Sequence, residues 1–205
     1  RYDSAAKALS YEVTDPTIDS QIVSLRATNA DVLISGATAK FAAQSIRKIY
    51  ELDWKPMHFV TSGAASVAST IIPAGVERAQ GLITSVYIKD PSDPAWAEDA
   101  GMKDYMKFMA KYFSDGNPKE AINTYAYTVT TVLRQLLEQC NGNFARENIM
   151  REANNLRDVE VATLLPGVRV NTSPTNHHPL RQMQLERWEG QGWHRFGNIL
   201  EGANI

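Results

Sequence analysis

The chain has 205 residues and a formal charge of -2 at pH 7, from 21 Lys and Arg against 23 Asp and Glu. This balance lacks the basic surplus of nucleic-acid-binding proteins, and no apolar run approaches the ~20 residues that span a bilayer. A hydrophobic share of 43% is normal for a globular core, and we expect a mature or truncated chain without direct membrane insertion.

The first predicted elements are a strand and an amphipathic helix. Residues Ala8–Val13 alternate loosely between apolar and polar side chains and end at a Thr-Asp-Pro turn, a pattern typical of a β-strand. The next helix begins near Asp15 or Thr17, because apolar residues then recur at helical spacing. Its predicted inner face consists of Ile18, Ile22, Leu25 and Val23.

A strand, a turn and a helix follow over residues 31–52. A short apolar run predicts a buried strand over Asp31–Ser35, and small residues form a turn before a helix over Ala39–Leu52. The predicted inner face of this helix carries Phe41, Ile46, Ile49 and Tyr50. Together these elements form half of a βαβ unit.

The same organisation then repeats. A strand over Met57–Val60 runs into a second turn of small residues, Thr61–Ser66. Right-handed crossovers bring both turns to one edge of a parallel sheet, where open α/β proteins bind ligands. We therefore expect a solute to be held by Thr38, Ser62 and free backbone NH groups, while simple tight connections remain the alternative explanation of both turns.

The sequence offers little support for cofactor, metal or catalytic chemistry. The turn at residues 35–40 matches neither GxGxxG nor GxxxxGK[ST], so we expect no nucleotide and no other cofactor. His177 and His178 lie in a Pro-rich loop without Cys or paired carboxylates at metal spacing, which predicts no metal site. A Ser/His/Asp triad is the minority alternative because no GxSxG elbow is present, and we expect a protein that is not an enzyme.

The second half of the chain is mainly helical. A strand over Gly81–Ile88 precedes a linker at Asp90–Pro94, where we place a crossing between domains. A helix over Trp96–Phe113 carries a stripe of Met and aromatic residues that is typical of a core, and a second helix is predicted over Asn123–Gln139.

The C-terminal part returns to strands. A strand is predicted over Val168–Val170, and alternating stretches at Met183–Trp188 and Trp193–Phe196 predict an antiparallel hairpin. The predicted fold class is α/β, with a parallel-sheet Rossmann-like lobe, additional helices of a second, incomplete lobe, and a C-terminal antiparallel hairpin.

Several stretches resemble periplasmic solute-binding proteins of the leucine/isoleucine/valine type, which are receptors of ABC importers. The stretches are SYEVTDPTIDSQIVSLRATNADVLI, KFAAQSIRKIYELDWKP, GLITSVYIKDPSDP, TYAYTVTTVLRQLLEQC and MQLERWEGQGWHRFG. The resemblance implies a type I periplasmic binding fold whose two lobes close around a solute. It assigns residues 1–90 to most of the second ligand-binding lobe, 91–165 to the helical part of the first lobe, and 166–205 to return strands and the hairpin.

The resemblance also implies a site and partners. The ligand-binding positions that it indicates are Ala37, Thr38, Ser62, Gly63, Ala64 and Tyr125, with Tyr127 as the alternative tyrosine. The implied partners are a small-molecule solute and a membrane permease, in the periplasm and without nucleic acid. A ligand-sensing domain of a regulator or receptor with the same fold is the alternative function.

Gly63 departs from the family pattern and narrows the expected solute. Amino-acid binders of the family carry an acidic residue at this position to pair with the α-ammonium group. A buried ammonium without that partner is strongly disfavoured. We therefore expect an aromatic acid, another carboxylate or an amide rather than a standard amino acid.

The resemblance begins in the middle of the family pattern. The sheet of the first lobe and the first strand of the second lobe have no counterpart in the sequence, so we expect a fragment of a longer protein. The helices after Trp96 and from Asn123 pack on that sheet in the family. We expect them to be exposed here or covered by another chain.

Overall fold

The computed structural model describes residues 6–202, which divide into two compact units. The first unit contains residues 6–85 together with Glu186–Phe196, and the second contains Val86–Leu185 and residues 197–202. Within the described range, no helix combines the length and apolar character needed to cross a bilayer.

Parallel strands and the helices between them form the first unit. In chain order, these elements are α1 (Asp19–Arg26), β1 (Val32–Ser35), α2 (Ala39–Glu51), β2 (Met57–Val60), α3 (Ile72–Ala74) and β3 (Ile83–Val86). β1 and β2 pair in parallel with Ser35 opposite Val60, and β2 and β3 pair in parallel with Phe59 opposite Ile83. The predicted parallel α/β fold is confirmed.

α2 covers one face of the sheet because its apolar residues follow the helical period. Phe41, Ile46 and Ile49 are buried, as predicted, in clusters that include residues of β1 and β2. The prediction that Tyr50 shares this inner face is wrong, since its side chain is 57% exposed. The guanidinium of Arg78 lies over the Tyr50 ring, 5.7 Å from its centroid, so this tyrosine makes a surface cation–π contact.

The predicted strand over Ala8–Val13 is not formed. This segment has no regular secondary structure, and the described sheet begins at β1. A strand needs a neighbour to satisfy its backbone NH and carbonyl groups, and within residues 6–202 no strand pairs with this segment. The alternating pattern is therefore present without the pairing that would convert it into a strand.

A hairpin completes the sheet. Its strands are β4 (Gln182–Glu189) and β5 (Gly192–Glu201), and the strand order is β1-β2-β3-β4-β5. Trp188 and Trp193 pack edge-to-face with ring centroids 5.4 Å apart. Their indole NH groups donate to the carbonyls of Val76 at 3.1 Å and Ala65 at 3.2 Å, so both buried indoles have an acceptor.

Two other predicted strands are shorter or missing. The strand expected over Gly81–Ile88 is reduced to β3. Val168–Val170 forms no strand, and Val170 makes only an isolated bridge to Val159. Short apolar runs are compatible with bridges and loops as well as strands, which explains both errors.

The second unit is built mainly from helices. They are α4 (Ala100–Tyr112), α5 (Ala121–Gln139) and α6 (Arg146–Ala153). On α4, Met102, Tyr105 and Met109 are buried together, which confirms that part of the predicted core stripe. Phe108 and Phe113, predicted for the same stripe, are exposed instead.

α5 presents an uncovered apolar face. Its exposed apolar residues recur at intervals of three to four along most of the helix: Ile122, Tyr125, Val129, Leu133 and Leu137. The expected exposure of this helix is therefore observed. Leu136, in contrast, is buried on the inner side.

Candidate functional site

The turns that follow β1 and β2 lie at the same edge of the sheet. Ser35 stands opposite Val60 in the parallel register, and the NH of Thr61 donates to the carbonyl of Ser35 at 3.3 Å. Ala37–Thr38 and Ser62–Ala64 therefore leave adjacent strand ends. The structure brings these two predicted ligand loops together, while their contact with a solute stays a prediction.

The first loop combines small residues with the start of a helix. Ala37 is half-buried, and the exposed Thr38 immediately precedes α2. NH groups in the first turn of a helix lack intrahelical acceptors and form the positive end of its dipole. This loop thus favours an oxygen acceptor, such as a carbonyl or a carboxylate.

The second loop forms a short turn over Ser62–Ala64. Ser62 is half-buried, Gly63 is exposed, and Ala64 is fully buried in the core. A Cβ atom added at Gly63 would meet nothing within 4 Å. The loop therefore has open space next to position 63, with room for a larger side chain.

Tyr11 is a residue of this edge that the sequence pattern missed. Its hydroxyl accepts a hydrogen bond from the NH of Thr38 at 2.9 Å, and its ring lies 4.4 Å from that of Phe41. Residues including Tyr11, Ser35 and Gly36 line a small cavity of about 100 Å³ beside the loop. The available signal was an aromatic residue just before a turn, which by itself does not identify a long-range contact.

A histidine and a serine form a hydrogen bond beneath the same edge. The Nε2 atom of His58 lies 2.8 Å from the Oγ atom of Ser35. Burial lowers the pKa of His58 from 6.5 to about 4, so the imidazole is neutral at pH 7. A buried neutral imidazole of this kind holds neighbouring strands together and places no cation at the loops.

The two tyrosines that the sequence left open occupy different environments in the second unit. Tyr127 packs edge-to-face against Tyr105 and Phe108, with centroids 5.5 and 5.0 Å apart, respectively. Tyr125, in the N-terminal part of α5, is 44% exposed. Tyr125 is therefore the tyrosine whose ring remains accessible, and its predicted role at a ligand stays a prediction.

Tyr87 is a second residue that sequence reasoning missed. It follows β3 directly and is half-buried. Burial raises the pKa of Tyr87, and the nearby phenol of Tyr125 raises it further. Two neighbouring phenols offer hydrogen-bond donors to a carbonyl or carboxylate. An aromatic residue at the end of a predicted strand was the only available signal.

Within residues 6–202, no cluster of three or more His, Cys, Asp and Glu side chains has the arrangement of a metal site. His177 and His178 are exposed on their loop. Two larger grooves of the first unit lie away from the two loops. One, of about 680 Å³, opens where β2 and β3 begin, and the other, of about 780 Å³, runs beside β1.

The chain matches a known protein family. The sequence profile of the periplasmic binding protein family matches residues 5–192. No curated protein sequence is a significant match.

Solved structures share the fold. A leucine-binding protein, LivK, from Thermotoga maritima has a TM-score of 0.70 at 18% identity, covering 95% of this chain and 51% of that chain. A branched-chain amino acid ABC transporter protein from Thermus thermophilus, solved with bound valine, has a TM-score of 0.74 at 12% identity, covering 95% and 52%. An extracellular ligand-binding receptor from Rhodopseudomonas palustris HaA2 has a TM-score of 0.68 at 19% identity, covering 91% of this chain and 54% of that chain. The chain spans about half the length of these proteins.

Proposed function

Because this chain belongs to the periplasmic binding protein family, we propose that it forms part of an extracytoplasmic receptor that binds a small organic solute. The receptor delivers the solute to the membrane permease of an ABC importer, and it acts in the periplasm. Its role is binding without catalysis. The first unit supplies one wall of the solute cleft.

The observation that carries this proposal is the shared edge of the two loops. The register of β1 and β2 aligns their ends, and Ala37–Thr38 and Ser62–Ala64 follow side by side. In open α/β sheets, this carboxyl edge is where ligands bind. The helix start after Thr38 and the hydroxyl of Ser62 supply hydrogen-bonding groups for a solute with an oxygen acceptor.

The solute class follows from Gly63. No carboxylate stands at this position to neutralise an α-ammonium group, and an unpaired buried ammonium is costly. An aromatic acid, another carboxylate or an amide has no α-ammonium group and therefore needs no carboxylate at position 63. We therefore propose one of these, rather than a standard amino acid, as the solute.

Calorimetric titration of the intact protein tests the proposal. Leucine, valine, benzoate and benzamide are suitable probes because they separate the ammonium from the carboxylate and amide groups. We expect saturable binding of benzoate or benzamide and none of leucine or valine. Tight binding of leucine or valine with no response to the aromatic probes would contradict the proposed solute class. No response to any small solute would contradict the proposed receptor function itself.

Two loop variants test the location of the site. Thr38→Val and Ser62→Ala each remove a hydroxyl at the proposed edge, and each should weaken binding of the accepted probe about tenfold. Ser20→Ala is the matched control because Ser20 is exposed on α1, away from the loops. Equal affinities in all three variants would place the site elsewhere.

A gain of function at Gly63 tests the role of the missing acid. The open space at this position accommodates a side chain, so Gly63→Asp should fold normally. The introduced carboxylate should confer binding of leucine or valine and weaken binding of benzoate through charge repulsion. Unchanged binding of every probe would show that position 63 does not face the solute.

A further inference from the structure

A polar pocket lies in the second unit, beside the loop over residues 171–181, which we call the pocket loop. Its volume is about 440 Å³, within the range of roughly 300–1,000 Å³ that is typical of small-molecule sites. Its lining includes Arg157, Arg181, Asn171 and Asn176, together with Ser and Thr side chains of the pocket loop. None of the described residues that line it is acidic or aliphatic. The lining therefore favours a polar ligand with negative charge.

Hydrogen bonds hold the pocket loop in shape. The NH of Ser173 donates to the carbonyl of Asn176 at 2.9 Å, and the NH of Asn176 donates to the carbonyl of Ser173 at 3.1 Å. The hydroxyl of Thr172 donates to the carbonyl of Ala153 at 2.6 Å and accepts from the NH of Leu156 at 3.0 Å. The wall of the pocket is thus formed in advance, which lowers the entropic cost of binding a ligand.

Two asparagine side chains of the pocket loop are left with free donors. Asn171 Oδ1 accepts from the NH of Asp158 at 2.8 Å, and Asn176 Oδ1 accepts from the NH of His178 at 3.0 Å. Within residues 6–202, neither of the two side-chain NH₂ groups has an acceptor. The backbone thus uses the acceptor end of each amide, and the two donor protons of each NH₂ group remain for a ligand. The carboxylate of Asp158 does not line the pocket.

Two guanidinium groups add positive charge to the pocket. Arg157 is exposed and Arg181 is half-buried. Among the described side chains neither has an ion-pair partner, whereas Arg151 and Arg169 of the same unit are each paired with a glutamate. The Nη2 atom of Arg181 donates to the carbonyl of Gly202 at 2.6 Å, which fixes the position of that side chain. The pocket therefore combines two positive charges with an excess of NH donors.

We propose that this pocket binds the phosphate group of a soluble small molecule. A guanidinium matches two phosphate oxygens at once, and a phosphate group carries close to two negative charges at pH 7, which balances Arg157 and Arg181. Its further oxygens accept from the NH₂ groups of Asn171 and Asn176. A carboxylate has only two oxygens and one charge, so it satisfies fewer of these donors.

The volume of the pocket allows a phosphate group with a substituent. A phosphate ion is a few times the size of a water molecule, whose share of the liquid is about 30 Å³, so a pocket of about 440 Å³ also holds the group to which the phosphate is attached. The pocket belongs to the second unit and the two solute loops belong to the first. The inference is therefore independent of the proposed solute and is tested without it.

Calorimetric titration of the 205-residue chain with inorganic pyrophosphate tests the proposal. We expect saturable binding of one pyrophosphate per chain at submillimolar concentrations, and much weaker binding of acetate. Sedimentation with vesicles of phosphatidylglycerol and phosphatidylcholine in equal amounts separates a soluble ligand from a lipid headgroup. Absence of pyrophosphate binding, an equal response to acetate, or binding to the vesicles without any response to pyrophosphate would each overturn the proposal.

Variants of the chain locate the binding. Asn176→Asp replaces the free NH₂ group by a second oxygen, while the first oxygen still accepts from His178, so the pocket loop should keep its shape. Arg157→Gln removes one charge from an exposed side chain and should leave folding unchanged. Each variant should weaken pyrophosphate binding by about tenfold or more.

Arg146→Gln is the matched control for the loss of charge. Arg146 is an exposed arginine at the start of α6 in the same unit, and it does not line the pocket. It should bind pyrophosphate as the wild-type chain does. Should the Asn176→Asp chain fail to give a cooperative thermal transition, the comparison of Arg157→Gln with Arg146→Gln decides. Equal affinities in these two variants would overturn the site.

Discussion

The imidazole of His58 and the hydroxyl of Ser35 lie 2.8 Å apart across two adjacent parallel strands. His58 is buried, and burial lowers its pKa to about 4. In the unfolded chain, the same side chain titrates near 6.5. Between these two values the unfolded chain binds a proton that the folded chain does not.

His58 should therefore make stability depend on pH in mildly acidic solution. As the pH falls from about 6.5 to about 4, the histidine should remove about 3 kcal/mol from the free energy of unfolding, and above this range its effect vanishes. Urea unfolding across this range should show a steeper loss for the wild-type chain than for His58→Gln. Parallel pH profiles for the two proteins would contradict the assignment.

Gly101 should not tolerate a side chain. A Cβ atom at this position of α4 would lie 2.6 Å from both the Cβ atom and the carbonyl oxygen of Ala162. Gly101→Ala should lower the free energy of unfolding by about 1–3 kcal/mol, in spite of the better helix propensity of alanine. Gly192→Ala is the control, since a Cβ atom there meets nothing within 4 Å. Chemical denaturation measures both, and similar values would refute the close approach.

Asp99 should be needed to neutralise a buried lysine. The Nζ atom of Lys89 donates to Asp99 Oδ2 at 2.8 Å and to the carbonyl of Ala162 at 2.7 Å. Burial acts to raise the pKa of Asp99, but hydrogen bonds from Lys89 and the NH of Met102 outweigh it and lower that pKa. Asp99→Asn should cost about 3–5 kcal/mol of stability because the ammonium remains buried without a counter-charge.

The control for Asp99 is an exposed ion pair in the same helix. Asp104 lies 3.0 Å from Lys107, and both side chains are mostly exposed. Asp104→Asn should therefore change the free energy of unfolding by less than about 1 kcal/mol. If thermal unfolding shows equal losses of stability for the two variants, the buried pair contributes no more to stability than the exposed one.

Tyr125 should influence the ionisation of Tyr87. Burial is the larger cause of the raised pKa of Tyr87, and the phenol of Tyr125 is the second. Tyr125→Phe should therefore lower the pKa of Tyr87 toward, but not to, its ordinary value of 10.0. NMR titration of ¹³Cζ-labelled tyrosine measures this shift. An unchanged pKa would show that the two hydroxyls do not interact.

Local patterns predicted most of the parallel fold. The strand Met57–Val60 has the predicted bounds, and α2 ends one residue earlier than expected. Both elements have a strong period and clear turn residues at their ends. Ala8–Val13 has a comparable pattern, but a strand also needs a partner, which no local pattern reveals.

The candidate site was predictable only in part. Small-residue turns after two parallel strands identify a shared edge from connectivity alone, which explains why the loops at Thr38 and Ser62 could be paired. Tyr11 and Tyr87 reach their positions through tertiary contacts with Thr38 and Tyr125. Such contacts join residues far apart in sequence and leave no periodic signal.

The two indoles of the hairpin have a consequence for the order in which the protein is made. Trp188 donates to a carbonyl 112 residues earlier, and Trp193 to one 128 residues earlier. At a synthesis rate of roughly 5–20 residues per second, the early segments wait about 6–25 s for these side chains to be made. The apolar surface beneath the indoles stays open during this interval, so the first unit closes only after Trp188 and Trp193 have been made.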